Sequence, residues 1–164
     1  VFEVECHTRV ESSIDDKNSD KTGIIPNYIE DAKSQIGLNA RTDRQKLKIE
    51  LSLANKQTVD PVNIPWCAAW ANKVLADAGI QGTDSLMARS FLAWGKAVTG
   101  DPHIGDVVVM RRGRNRYAGH VGFFAGYEWY NGIKYVVVYG GNTDRSVQAG
   151  YFLENKVLGY RTPG

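Results

Sequence analysis

Hydrophobic positions change their spacing once along this chain, near Gly105. Before it they recur every three to four residues; after it they alternate or run together over short stretches. The first regime predicts four helices. Residues 27–36 place Tyr28, Ala32 and Ile36 on one face and stop before Gly37. Residues 42–55 gather Leu47, Leu51 and Ala54, with Lys46 and Glu50 one turn apart on the flank. After the breaks at Pro61 and Pro65, residues 66–78 carry Cys67, Trp70, Val74 and Ala78 near one side and end at Gly79, an amphipathic pattern. Residues 85–94, capped by Thr83 or Asp84 and closed by Gly95, complete the set.

The second regime predicts strands over 106–110, 120–127, 135–139, 147–153 and 157–160, rich in valine and aromatic residues. Asn131-Gly132 is a strong two-residue hairpin signal and predicts that the strands on either side pair antiparallel. Helices first and strands second imply an α+β fold with helices on one face of an antiparallel sheet. Ahead of the helices, residues 1–10 alternate as a short edge strand would, and residues 11–22 are polar and read as a linker. The chain therefore divides into an N-terminal extension, 1–26, and one domain, 27–164.

Composition narrows the function classes. A chain of 164 residues buries a core without staples. A formal charge of +2, with no basic stripe beyond the run from Arg111 to Arg116, does not point to nucleic acid. That run caps a strand and decorates a loop, or else touches an acidic polymer. Cys6 and Cys67 are too few for a disulfide framework. No stretch reaches the ~20 apolar residues of a membrane span. No secretory leader is visible at the front, which opens on Val1. Asp16, Asn18 and Asp20 alternate as in a calcium loop, but Lys21 and Asn27 stand where its glycine and closing acid belong. A solvated loop is expected there, and no metal site.

The chemistry converges on three residues. Cys67 opens the third predicted helix, where unpaired backbone N–H groups and the helix dipole favour a thiolate. Such a position, with a histidine partner, lowers a thiol from pKa ~8.5 toward ~3.5–7.5. The same N–H groups can receive an oxyanion, a contribution of ~2.7–4 kcal/mol per donor. A lone cysteine is more often a buried hydrophobe, so the partners decide. His120, between Gly119 and Gly122, is placed to serve as general base; His7 and His103 compete less well, one near the terminus and one in a loop. Asn142, after Gly140-Gly141, is placed to orient the histidine ring, although the same residues make good turn chemistry. Asp106 is the rival orienter, in what reads as a strand-entry turn.

With these motifs in hand, the chain resembles a known family. Pro65-Trp66-Cys67-Ala68-Ala69-Trp70, Ala88-Arg89-Ser90-Phe91-Leu92-Ala93-Trp94-Gly95, Gly105-Asp106-Val107-Val108-Val109, Gly119-His120-Val121-Gly122-Phe123 and Gly140-Gly141-Asn142 look like the CHAP peptidoglycan hydrolases. These are cysteine, histidine-dependent amidohydrolases/peptidases of the NlpC-type, papain-like superfamily, and the match is strongest to the phage and prophage, endolysin-like group. The resemblance spans about residues 27–163. It implies a papain-like α+β fold, no cofactor, and Cys67, His120 and Asn142 as nucleophile, base and polar third residue. Many CHAP enzymes carry a glutamate two residues before that asparagine; here the position is Gly140. Calcium binding upstream of the cysteine is not carried over, because 57–65 offers only Asp60 as a carboxylate.

The resemblance also implies a substrate, bacterial peptidoglycan, cut at an amide by an N-acetylmuramoyl-L-alanine amidase or a stem or cross-bridge endopeptidase. Trp66, Arg89, Ser90, Tyr117, Thr143, Asp144 and Arg145 are the candidates for lining the groove, with Arg89 placed to meet a stem-peptide carboxylate or to bridge two helices. Trp70 and Trp94, at helical spacing, are expected in the core. The expected setting is the cell wall or periplasm, reached in phage lysis, on a virion or by secretion, and the expected state is a monomer. Two rivals remain: an acyltransferase or glutamine deamidase on the same triad, and a non-catalytic wall-binding or assembly module.

Overall fold

The change of period near Gly105 is a change of layer. The computed structural model describes residues 26–164. Its helical half holds α1 (Asn27–Ser34), α2 (Arg44–Asn55), α3 (Cys67–Asp77) and a 3-10 helix (Ala88–Ala93). The strands are β1 (Lys96–Ala97), β2 (Val107–Arg111), β3 (Gly119–Tyr130), β4 (Ile133–Thr143), β5 (Ser146–Leu153) and β6 (Val157–Thr162). They form one antiparallel sheet in the order β1-β6-β2-β3-β4-β5. The α+β expectation holds. The edge strand read over 1–10, the calcium-like spacing at Asp16, Asn18 and Asp20, and Cys6 and His7 lie outside the described residues.

The sheet's two faces carry different clusters. Val107, Val109, Val121, Phe123 and Tyr139 join the core under the helices, while Val108, Met110, Phe124, Val138 and Phe152 pack together on the other side. This is the alternation that a strand's two-residue period requires. The hairpin between β3 and β4 turns on Asn131 and Gly132, both with positive φ (51° and 77°), as a two-residue type I′ turn demands.

Helix α3 departs from the amphipathic expectation. Every residue from Cys67 to Leu75 is buried, because α1, α2 and strands β3 and β4 all pack on it. A helix apolar enough to be enclosed this way needs its polar residues satisfied inside. Asn72 gives Nδ2 to Asn55 Oδ1 (3.1 Å) and Ser85 O (3.0 Å) and accepts from Thr83 N (2.9 Å). Lys73 meets Asp77 at 2.8 Å. Trp70 donates to Gln35 Oε1 at 2.9 Å and sets its ring edge-on to Phe123.

The fourth helix is shorter and tighter than its apolar spacing suggests. The Asn72 amide captures the Ser85 carbonyl, and Met87 is extended, so the chain makes only a 3-10 helix from Ala88. Its Phe91 is fully buried. At the opposite edge, residues 37–40 lie along the start of β5. Gly37 N donates to Val147 O, Val147 N to Leu38 O, and Ala40 N to Arg145 O, each at 2.8 Å. Among the described residues no helix is long and apolar enough to cross a membrane.

Candidate active site

Cys67 is the first residue of α3, and Trp66 before it offers no side-chain cap. The first helical bond is Trp70 N to Trp66 O at 2.9 Å, so the N–H groups ahead of it are free of the helix ladder. The thiol is free and only 6% exposed. Burial pushes it above its ordinary pKa; the backbone of Val121, the charge of Arg112 and the backbone of Ala68 and Cys67 pull the other way without prevailing. The lowered thiol expected from a helix start is therefore not what this environment produces. Desolvation of the charged form outweighs the local N–H groups.

His120 is the second residue of β3, opposite Met110 of β2. Its ring is 1% exposed and stacks on Phe152, centroids 5.4 Å apart. Nδ1 lies 3.2 Å from Arg112 Nη2, and Nε2 lies 3.4 Å from Thr143 Oγ1. A guanidinium only donates, so Nδ1 presents its lone pair to Arg112. Nε2 then carries the proton and donates to Thr143 Oγ1, whose hydroxyl donates to Gly140 O at 3.1 Å. Burial first, and the Arg112 charge second, push the imidazole down to about 3. Both the thiol and the imidazole therefore rest in their neutral forms. Among the described residues no hydrogen bond joins Cys67 to His120.

Gly140 explains why Thr143 is the group on Nε2. A Cβ at Gly140 would stand 2.6 Å from His120 Nε2, closer than real side chains come, and a tight 3.1 Å from Thr143 Oγ1. The ring occupies the space a side chain there would need. Asn142 has φ of 56° and makes no side-chain hydrogen bond among the described residues. It faces a hollow shared with Pro65 and Arg145 and is not joined to His120. The sequence expectation had Asn142 orient the ring; the left-handed turn of its backbone carries its amide elsewhere. Asp106 is likewise engaged in its turn, accepting from His103 N at 2.8 Å.

A family model for the CHAP domain matches residues 59–142, just over half of the chain, from the approach to α3 through Asn142. The chain belongs to the CHAP domain family. Peptidoglycan hydrolase or amidase-type activity is the family's general chemistry, and the matched CHAP segment contains Cys67, His120 and Asn142. No curated protein and no solved structure matches the chain.

The other residues expected in the CHAP groove divide. Trp66 is fully buried, with its Nε1 unpartnered among the described residues, so it packs and does not line a surface. Trp70 is also fully buried, as expected. Thr143 is 4% exposed and belongs to the histidine's support. Among the described residues Arg89 meets no carboxylate: it donates to Ala118 O (2.7 Å) and Asn115 O (3.2 Å), pinning the loop between β2 and β3. Ser90 donates to Met87 O within its own 3-10 turn. Tyr117, Asp144 and Arg145 are exposed. Sequence reasoning missed Arg112, Phe152 and Arg41. Only the basic run from Arg111 to Arg116 signalled the first, and nothing local signalled the others.

Proposed function

We propose that this CHAP domain hydrolyses an amide bond of bacterial peptidoglycan, with Cys67 as nucleophile, His120 as acid–base and Thr143 as the group that orients His120. The observation that carries this reading is the pair of contacts on the His120 ring, Arg112 Nη2 at Nδ1 and Thr143 Oγ1 at Nε2. Thr143 and Arg112 leave the lone pair on Nδ1, and Arg112 acts electrostatically on both His120 and Cys67. The thiol itself abuts the backbone of Val121, the residue after His120.

Substrate entry displaces Arg112 from Nδ1 and lets the thiol proton pass there. Sγ attacks the amide carbonyl carbon, and the first-turn N–H groups of α3 receive the oxyanion. The C–N bond breaks as Nδ1–H protonates the leaving nitrogen, which leaves a thioester. Water, deprotonated at Nδ1, attacks the thioester; the acid departs and the proton returns to sulfur. Throughout, Thr143 holds the Nε2–H of the imidazolium. The enzyme acts at the cell wall, in phage lysis, on a virion or after secretion, as a monomer.

A wall-binding module without turnover is the second reading. It draws on the buried, raised thiol and on the missing hydrogen bond between Cys67 and His120. Mass spectrometry of purified peptidoglycan digested with wild type and with Cys67→Ala separates the two. Cleavage by wild type alone supports the hydrolase; identical profiles overturn it. New amino termini within peptides mark an endopeptidase, and glycan freed from whole stem peptides marks an amidase.

A further inference from the structure

Beside the entrance to α3 lies a cavity of about 280 Å³ whose walls include Arg41, Asn63, Pro65, Asn142 and Arg145. Two arginines line it, and among the described residues no carboxylate does. Neither Arg41 nor Arg145 has an ion-pair or side-chain hydrogen-bond partner among the described residues. The nearby acids are engaged or turned away. Asp60 is held by Arg44 through two bonds (3.0 and 2.6 Å) and also receives Val62 N and Asn63 Nδ2. Asp43 receives Asn39 N at 2.9 Å, and Asp144 does not line the cavity.

The two arginines are brought together by backbone. Ala40 N donates to Arg145 O at 2.8 Å, and Asn39 Nδ2 to Ser146 Oγ at 2.8 Å, so the segment bearing Arg41 is clamped to the turn bearing Arg145. That turn keeps Asn142, Asp144 and Arg145 at φ of 56°, 51° and 68°. Arginine gains nothing locally from this conformation, and strain of this kind concentrates at ligand sites. Two like charges lining one concavity focus a positive field, and a bound anion relieves it. Planar guanidinium forks match the paired oxygens of a carboxylate or a phosphate, and the free acids of a peptide are carboxylates.

The cavity is walled by the two segments of chain that lead to Cys67 and away from the His120 support. Its wall at Asn63, Ile64 and Pro65 runs directly into Trp66 and Cys67, and its wall at Asn142 continues from Gly140, which packs on His120. We infer that this cavity is a carboxylate subsite, in which Arg41 and Arg145 hold a free carboxylate of the peptide part of the substrate while Asn142 meets its backbone. The inference rests on the peptidoglycan reading and moves the carboxylate contact expected of Arg89 to the other side of Cys67.

The test uses muropeptides with free stem carboxylates and the same muropeptides amidated chemically. On the free form, Arg41→Gln and Arg145→Gly raise KM roughly tenfold or more with kcat nearly unchanged, the signature of lost uniform binding. Glycine is chosen because it keeps the positive φ at position 145, and thermal melts confirm folding. Wild type suffers the same KM penalty on the amidated form, and the double variant no longer tells the two apart. Calorimetry with Cys67→Ala gives a readout free of turnover: it binds the free form at least about tenfold more tightly, and adding both arginine substitutions abolishes the difference. Unchanged KM in the arginine variants overturns the subsite while the hydrolase stands. No turnover by any protein, with selective binding by Cys67→Ala intact, sinks the hydrolase reading and leaves the subsite. Equal binding of free and amidated forms, competed by inorganic phosphate, overturns the carboxylate assignment.

Discussion

Strand β4 turns the chain at both of its ends, and the two turns obey different rules. At the tip, Asn131 and Gly132 are residues that accept positive φ cheaply, and their neighbours Tyr130 and Ile133 are about half exposed. At the base, Gly140 and Gly141 are pressed against His120 and Trp70, the register shifts between Gly140 and Thr143, and three non-glycine residues follow with positive φ. The tip is specified by its own residues. The base is held by the histidine, the tryptophan and the segment 37–40 that lies across it. Backbone strain sits beside the candidate site, and packing from elsewhere sustains it.

The largest effect expected from breaking this contrast comes from one methyl group. Gly140→Ala puts a Cβ at 2.6 Å from Nε2 and should displace the His120 ring, lowering kcat/KM on muropeptides by roughly 100-fold or more, the usual worth of a positioned acid–base group. Gly132→Ala, the same change at the tip, should cost about 1 kcal/mol in urea unfolding and leave kcat/KM alone. Full activity in Gly140→Ala would contradict the placement of the ring.

Next comes the group at Nε2. Thr143→Val removes the acceptor and should cost roughly tenfold or more in kcat, with the acid limb of the pH–rate profile displaced, whereas Thr143→Ser should restore both. Asn142→Ala should act on KM instead. A larger kcat loss at Asn142 than at Thr143 would return the orienting role to the asparagine.

The third effect is on stability and not on turnover. An unfolded histidine titrates near ~6.5, while His120 in the fold is pushed down to about 3. Between these values the unfolded chain binds the extra proton, so stability falls as pH falls, by at most about 1.4 kcal/mol per pH unit, and this contribution is flat above neutrality. The carboxyl of Asp60, held down to about 2 by Arg44, loses its contribution only below about 3.9, outside the range from pH 4.5 to 7. Urea midpoints between pH 4.5 and 7 should show the slope in wild type and not in His120→Gln. Equal slopes would mean that the ring is not buried neutral.

Much of this was legible in the chain because it rests on local rules. The boundaries of α2 and α3 follow from apolar spacing and the breaks at Pro61 and Pro65, and the hairpin from Asn131-Gly132. Other features escaped for definable reasons. β1 is two exposed residues that pair only because β6 runs beside them, and no periodicity marks so short an element. The fourth helix was cut short by the Asn72 amide, thirteen residues back along the chain.

The site divides in the same way. The chain by itself displayed the candidate residues: a cysteine at a helix start, a histidine on a strand, and a glycine two residues before Asn142. Only the tertiary structure decided what those residues experience. Enclosure raised the thiol that a helix start alone would lower, and the bare Gly140 let the ring settle onto Thr143. It also set Arg112 on Nδ1 and brought Arg41 to Arg145 across the turn. Turn and helix propensities act over a few residues, so a sequence displays them directly. Desolvation, close approach and fixed charge depend on neighbours distant in the chain, and only the packed fold brings those together.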